Sequence, residues 1–484
     1  MKLLCVASEC APFVKTGGLA DVVGALPKAL ATLGVASRVM LPAYPALADI
    51  VATGQEVWRQ RALHGGPVRL VACQAEGIDL LLLDAPHLYD RPGTIYLGTD
   101  GRDWPDNGVR FAALSYVAAE VAMGALDGWR PDVVHAHDWQ AGLVPAYLHQ
   151  RDAPTPPCVM TVHNIAFQGL FDPALMTTLG VSSTLYTPDG IEYFGHIGFL
   201  KAGLVYADKI TTVSPSYARE LMQPEFGMGL EGLLRARSSD LVGILNGIDL
   251  DAWNPETDPA LEAGYTVKRL KSKAINRAAL IKRFGLAPDQ RGPLFCVISR
   301  LTTQKGLDLL LDALPALVAR GAQLAVLGSG DKDLEAGFVA AAHRYPGAIG
   351  VIIGYDEPLS HLMQGGSDAI VIPSRFEPCG LTQLYGLRYG TVPVVARTGG
   401  LADTVIDANE AARSAKCATG VQFAPVTASA LEQAIHRACD IYAQPTEWAG
   451  LVRRGMRHGV GWDVSAQAYG DIYAAVCDAR VTQD

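Results

Sequence analysis

The 484-residue chain is short of charge and of aromatic rings: Asp, Glu, Lys and Arg make up 18% of it and Phe, Trp and Tyr 7%, against 49% apolar residues. So little charge beside so much apolar material excludes a disordered or fibrous chain and describes one that packs. Long hydrophobic runs are missing. None approaches the roughly 18 residues needed to span a bilayer, and no lipidation signal is visible at either end, so no membrane partner is expected. Positive charge is not in excess either. The formal net charge of −9 argues against nucleic acid or an anionic membrane surface as partner, while leaving room for a local basic pocket. Nine cysteines are scattered without a C-x-x-C pair, which suggests neither a disulfide framework nor a zinc site and fits a reducing, cytoplasmic setting. The opening Met1-Lys2-Leu3-Leu4-Cys5-Val6-Ala7 is interrupted by Glu9 and reads as a buried first strand, not a signal peptide.

What is present is an alternation. Short apolar runs recur along the chain, each followed by a Gly-containing or polar loop and then by a segment of helical period, the pattern of a largely parallel α/β sheet. Strands are predicted at 37–41, 132–136, 159–162 and 209–213, closing a first domain near Leu241. After a polar stretch the alternation restarts, with strands at 294–298, 324–327, 351–353, 369–372 and 392–396. The first helix carries Leu19, Val22, Val23, Leu26, Leu30 and Leu33 on one stripe and ends at Gly34. Two apolar runs between Val68 and Asp84 flank Glu76-Gly77 and read as an inserted hairpin. The final helix, after Trp462, has apolar positions that need a partner. A chain of this length calls for two or more domains.

Ligands of open α/β sheets bind beyond the carboxyl ends of the strands, so chemistry is sought immediately after the apolar runs. After the first strand, Lys15-Thr16-Gly17-Gly18-Leu19-Ala20-Asp21 offers glycines, a helix start with free N–H groups and a cation, a phosphate cradle or simply a turn. After the restart strand, Ser299-Arg300-Leu301-Thr302-Thr303-Gln304-Lys305-Gly306 sets two cations in one loop, able to straddle a diphosphate or to sit solvated. Ile370-Val371-Ile372-Pro373 leads to Glu377-Pro378-Cys379-Gly380-Leu381-Thr382, where the acid either meets sugar hydroxyls or caps a helix. Cys379 is either a reactive thiol at a helix start or a small packing residue. His135-Ala136-His137-Asp138-Trp139 and His163-Asn164 cluster polar groups with a ring, as sugar recognition requires. Zinc is the rival there, but strand alternation keeps His135 and Asp138 from converging with His137 without a bend. The paired acids Asp249/Asp251 and Asp331/Asp333 are better explained as helix caps. Thr-Gly-Gly-Leu-Ala-Asp occurs at both 16–21 and 398–403, in positions that do not make a simple duplication.

Together these motifs resemble the bacterial glycogen synthases and plant starch synthases, retaining glucosyltransferases with two facing Rossmann-like domains of the GT-B type. The match runs nearly end to end and is carried by Lys15-Thr16-Gly17-Gly18-Leu19, His137-Asp138-Trp139, Arg300 with Lys305, Glu377-Pro378-Cys379-Gly380-Leu381 and Thr398-Gly399-Gly400-Leu401. The resemblance implies transfer of glucose from ADP-glucose to the non-reducing end of an α-1,4-glucan, glycogen or a maltooligosaccharide, with no cofactor and no metal. It implies domains at 1–241 and 242–455 and a helical segment, 456–484, returning to the first. Arg300 and Lys305 would neutralise the donor diphosphate, with Lys15, Gly17 and Gly18 approaching it from the other domain. Glu377 and His163 would hold the glucose, and Cys379, Gly380, Leu381 and Thr382 would complete the donor loop. Tyr355 matches the position whose ring packs on the base, although by composition it reads equally as a core tyrosine. Asp138, Trp139 and Asn164 look like acceptor-side residues. No carboxylate is clearly placed as a nucleophile, so the reaction is expected to proceed on one face with help from the departing phosphate. Two alternatives stand beside this reading: a related enzyme using UDP-glucose or another acceptor, and a silent glucan-binding protein, whose expected mark, loss of Glu377 or of the basic pair, is absent.

Overall fold

In a computed structural model that describes residues 1–481, the first apolar runs become β1 (Lys2–Val6), β2 (Ala36–Pro42), β3 (Gln55–Leu63), β4 (Gly66–Ala75), β5 (Ile78–Asp84), β6 (Val133–His137) and β7 (Cys158–Val162). Three short strands, β8 (Leu170–Phe171), β9 (Glu192–Tyr193) and β10 (His196–Gly198), form a separate small sheet, and β11 (Lys209–Thr212) and β12 (Leu241–Gly243) rejoin the large one. Its nine strands run in the order β12-β11-β7-β6-β1-β2-β5-β4-β3. Every pairing from β12 to β5 is parallel, and β4 is antiparallel to both of its neighbours.

The hairpin turns at Glu76 and Gly77, both with left-handed backbone (φ 50° and 75°), the turn geometry that matches strand twist. It is more than an insertion, because β5 pairs in parallel with β2 and so extends the main sheet. The edge strand β3 went unread because most of its residues are exposed and leave no apolar run.

The helix Gly18–Ala31 buries Leu19, Val22, Val23, Leu26 and Leu30. Leu33, assigned to the same stripe, lies outside the helix and is exposed. Gly34 (φ 77°) closes the end: its N–H reaches Ala31 O at 3.1 Å and the Val35 N–H reaches Leu30 O at 3.2 Å, the paired bonds of a glycine-terminated helix.

The last described helix, Asp463–Val481, buries Ala466, Tyr469, Tyr473 and Val476 against Leu3, Val22, Leu26, Leu30, Val133 and Val159. Tyr473 OH lies 2.8 Å from His135 Nδ1, and Arg480 pairs with Asp208 at 2.8 Å. The first compact unit therefore comprises Met1–Asn246 and the chain from Trp462 onward, and the second is Gly247–Gly461. The first runs past Leu241 because β12, too short to signal itself, still pairs with β11.

The second unit holds β13 (Leu294–Ile298), β14 (Gln323–Gly328), β15 (Ile349–Ile353), β16 (Ala369–Ile372), β17 (Val392–Ala396) and β18 (Val421–Phe423), all parallel, in the order β15-β14-β13-β16-β17-β18. Strand order reverses between β13 and β16 here and between β1 and β6 in the first unit. Such switch points open a crevice at the carboxyl ends of the strands.

Candidate active site

The loops after β13 and β16 flank the second unit's switch point. Lys305 ends the single turn Thr303–Lys305, and its Nζ lies 2.9 and 2.7 Å from the two carboxylate oxygens of Glu377. Ser374 Oγ donates to the same carboxylate at 2.8 Å. Glu377 is only 8% exposed, and a buried carboxylate persists when paired and hydrogen-bonded in this way. The capping alternative does not describe it, since the next helix starts at Thr382. Arg300 is exposed, and its guanidinium makes no hydrogen bond or ion pair among the described residues.

Close backbone packing fixes these loops. Gly306 (φ 67°) lies where a Cβ would stand 1.9 Å from Pro373 O. Arg375 ties the loops further, pairing with both Asp308 oxygens at 2.7 Å and donating to Thr303 O at 2.6 Å. Gly399 (φ 43°) would place a Cβ 2.0 Å from Glu377 O, and Gly400 one 2.4 Å from Cys379 Cα. Gln383 Nε2 donates to Cys379 O and Gly380 O at 3.1 and 2.9 Å. Cys379 is buried, so of its two readings packing describes it. Tyr355 follows β15 and is 71% exposed, which removes the core-tyrosine alternative.

In the first unit the loop after β1 is organised by a residue that sequence reasoning passed over. Glu9, buried, accepts from Thr16 N (2.5 Å), Thr16 Oγ1 (2.6 Å), Gly17 N (3.2 Å) and Tyr96 OH (2.6 Å). Two of the N–H groups expected to await an anion are thus already taken. The signal for Glu9 was its place just beyond a buried strand, the rule that picked out the other candidates. Helix Gly18–Ala31 nevertheless begins without a side-chain cap among the described residues. Gly17 has extended backbone (φ −157°), and a Cβ there would meet nothing within 4 Å among the described residues. Neither conformation nor neighbours require glycine at 17, which leaves room at the helix start for a bound group. Lys15 pairs with Asp21 at 2.8 Å.

A buried polar chain runs through β6 and β7 and into the loops that follow them. His135 Nε2 meets Thr161 Oγ1 at 2.5 Å, while His137 joins Cys5 Sγ at 3.1 Å and His163 Nε2 at 2.9 Å. Contrary to the expectation that alternation would keep His135 from converging with His137, the two share a face, as residues i and i+2 of a strand must, with ring centroids 4.0 Å apart. Asp138 leaves the strand through left-handed backbone (φ 54°) and accepts from His163 N at 2.7 Å. Burial pushes His135 and His163 down to about 3 and His137 well below its usual range, so the rings stay neutral near neutrality. Burial pushes Asp138 up to about 7, against the pull of the His163 and Asn164 N–H groups. Trp139 wedges between Phe111 (ring centroids 5.0 Å) and Phe171 (5.7 Å), over Gly169, where a Cβ would stand 2.4 Å from it. Asn164 Oδ1 accepts from Ala166 N at 3.0 Å and shapes its own turn. No group of three or more His, Cys, Asp or Glu side chains among the described residues is arranged to hold a metal ion. Of the paired acids, Asp249 caps its turn, accepting from Asp251 N and Ala252 N at 2.9 and 3.1 Å. Asp331 does not cap with its side chain; Glu335 accepts from Gly330 N there instead.

Residues 2–236 match the starch synthase catalytic domain family, and residues 280–449 match glycosyl transferases group 1. The chain is 71% identical to a glycogen synthase of Roseobacter denitrificans over 98% of its own length and 99% of that protein's. It is 55% identical to one of Mesorhizobium japonicum over 99% and 100%. The catalytic domain of starch synthase IV from Arabidopsis thaliana, solved with ADP and acarbose, superposes with a TM-score of 0.87 at 31% identity, covering 98% of this chain and 99% of that one. A sucrose-phosphate synthase of Thermosynechococcus elongatus, 18% identical and covering 99% of both chains, shares the fold with a TM-score of 0.61. With two Rossmann-like units and near-complete coverage at such identity, the chain belongs to the glycogen synthase family of glycosyltransferases.

Proposed function

We propose that this chain transfers glucose from ADP-glucose to the non-reducing end of an α-1,4-glucan with retention of configuration. The observation that carries the reading is the Lys305–Glu377–Ser374 cluster at the β13/β16 switch point, with the Arg300 guanidinium unengaged beside it in sequence. The ADP and acarbose seen with the starch synthase of similar fold support a nucleotide donor and a sugar-chain acceptor. Arg300 and Lys305 neutralise the donor diphosphate, and the uncapped start of helix Thr382–Tyr389 adds N–H groups behind Gly380 and Leu381. Glu377 faces the positive charge that develops at the anomeric carbon as its bond to the diphosphate oxygen breaks. The acceptor hydroxyl attacks from the same face and passes its proton to the departing phosphate, so ADP leaves as the new glycosidic bond forms. His163 stays neutral and, engaged with His137 through Nε2, keeps Nδ1 for a sugar hydroxyl. Tyr355 offers its ring to the base, and Asp138, Trp139 and Asn164 lie on the acceptor side. Nine free cysteines suit a cytoplasmic setting, and no described helix is long and apolar enough to cross a membrane.

Separate incubations with ADP-glucose and UDP-glucose, glycogen as acceptor, test this through nucleotide release. Glycogen-dependent release of ADP is expected, undiminished by a chelator because no metal takes part. Release of UDP alone would favour the related transferase, and glycogen binding without any release the silent protein.

A further inference from the structure

Lys273 opens the helix Lys273–Arg283, far in sequence from every motif of the site. Its Nζ lies 3.1 Å from Gln364 O, 3.0 Å from Gly365 O, 3.1 Å from Tyr389 O and 2.9 Å from Thr391 Oγ1. Gln364 and Gly365 lie in the last turn of helix Glu357–Gly366, and Tyr389 is the last residue of helix Thr382–Tyr389. Terminal carbonyls of a helix lack partners within it, and a cation is favoured there. Burial draws Lys273 down to about 7; in its protonated form its three N–H donors close two helix ends at once.

The second of those helices starts at the proposed donor loop. Its eight residues span only about 12 Å, so a fixed C-terminal end sets where its N-terminal end lies. A second link runs directly to that start: Gln364, whose main-chain carbonyl Lys273 holds, donates through its side-chain Nε2 to Thr382 O at 3.1 Å. Tyr265 OH adds a bond to Tyr389 O at 2.7 Å. Gly386 lets the helix approach its surroundings, since a Cβ there would stand 2.9 Å from Thr391 O.

We infer that Lys273 is a positioning residue for the nucleotide donor, holding helix Thr382–Tyr389 in the register that presents Gly380–Thr382 to the diphosphate; this rests on the donor reading above. The test uses the full chain with ADP as probe, measuring ADP affinity, turnover, half-saturation by glycogen and thermal melting for Lys273→Met, Gln364→Met and the double variant. Lys273→Met is expected to weaken ADP binding about tenfold, roughly 1.4 kcal/mol, with half-saturation by glycogen unchanged. Gln364→Met is expected to give a loss of similar size, and the double variant no more than the larger single loss, as for residues acting through one link. A folded Lys273→Met with unaltered ADP affinity overturns the inference, as does an equal loss toward ADP and glycogen or full additivity in the double variant. Should Lys273→Met fail to fold, unaltered ADP affinity in Gln364→Met overturns it. Failure of the unmodified chain to bind ADP overturns the donor reading itself.

Discussion

Burial sets the charge of four titratable residues, two in β6 and one just after each of β6 and β7, and it does so in opposite directions. His135, His137 and His163 are pushed far below their usual range, and Asp138 up to about 7. Below pH 6.5 an unfolded chain protonates the histidines, while the folded one leaves His135 and His163 neutral down to about 3 and holds His137 neutral well below its usual range. Stability therefore rises with pH across that window. Asp138 works against it: between about pH 4 and 7 the folded chain holds a proton that the unfolded one releases. Three histidines outweigh one acid, so between pH 4 and 6 unfolding takes up protons on balance and stability rises with pH. Urea midpoints across this range should fall as pH falls, and His137→Gln should flatten the dependence; an unchanged slope would contradict burial as the cause. Little of this was legible in the sequence. His135, His137, Asp138 and His163 stood out by position, but their partners, Thr161 Oγ1 for His135, Cys5 Sγ for His137 and Thr161 O for the Asp138 N–H, are set by strand register.

At the scale of elements, one hexapeptide serves two purposes. Thr-Gly-Gly-Leu-Ala-Asp starts a helix in both places, yet Gly17 borders open space while Gly399 presses on Glu377 O. Gly17→Ala should leave melting within about 0.5 kcal/mol of the parent while lowering turnover, because only a ligand would meet the new methyl. Gly399→Ala should lower both, since left-handed backbone and a 2.0 Å contact leave no room. Equal melting losses in the two variants would contradict the distinction. Sequence alone could not separate them, because the difference lies in what packs opposite. Elements buried on both faces were the legible ones. β13, β16 and β17 fall where their apolar runs predicted. The exposed edge β3 and the three-residue β12 and β18 carry no such run.

At the scale of the whole molecule, the end of the chain completes the first unit's core. Tyr469, Tyr473 and Val476 are buried there among residues from β1, β6, β7 and the first helix. Removing the chain from Asp463 onward should therefore cost the first unit its stability, read as early loss of protection in hydrogen exchange across β1 and β6. Tyr473→Phe is a milder probe. It leaves a buried His135 nitrogen without a partner and should cost about 1–3 kcal/mol, where no change in melting would deny the bond its role. The sequence showed that this helix needed a partner, and the partner came from the family resemblance, because no local pattern marks a contact between residues 3 and 469. We propose that the cluster around Glu377 is the reaction centre. The most direct test is the rate of ADP release from ADP-glucose with saturating glycogen, compared between the unmodified chain and Glu377→Ala. A fall of about 10²–10³ in turnover is predicted, the usual cost of losing a preorganised electrostatic contact. Near-normal turnover in a folded Glu377→Ala would contradict the account.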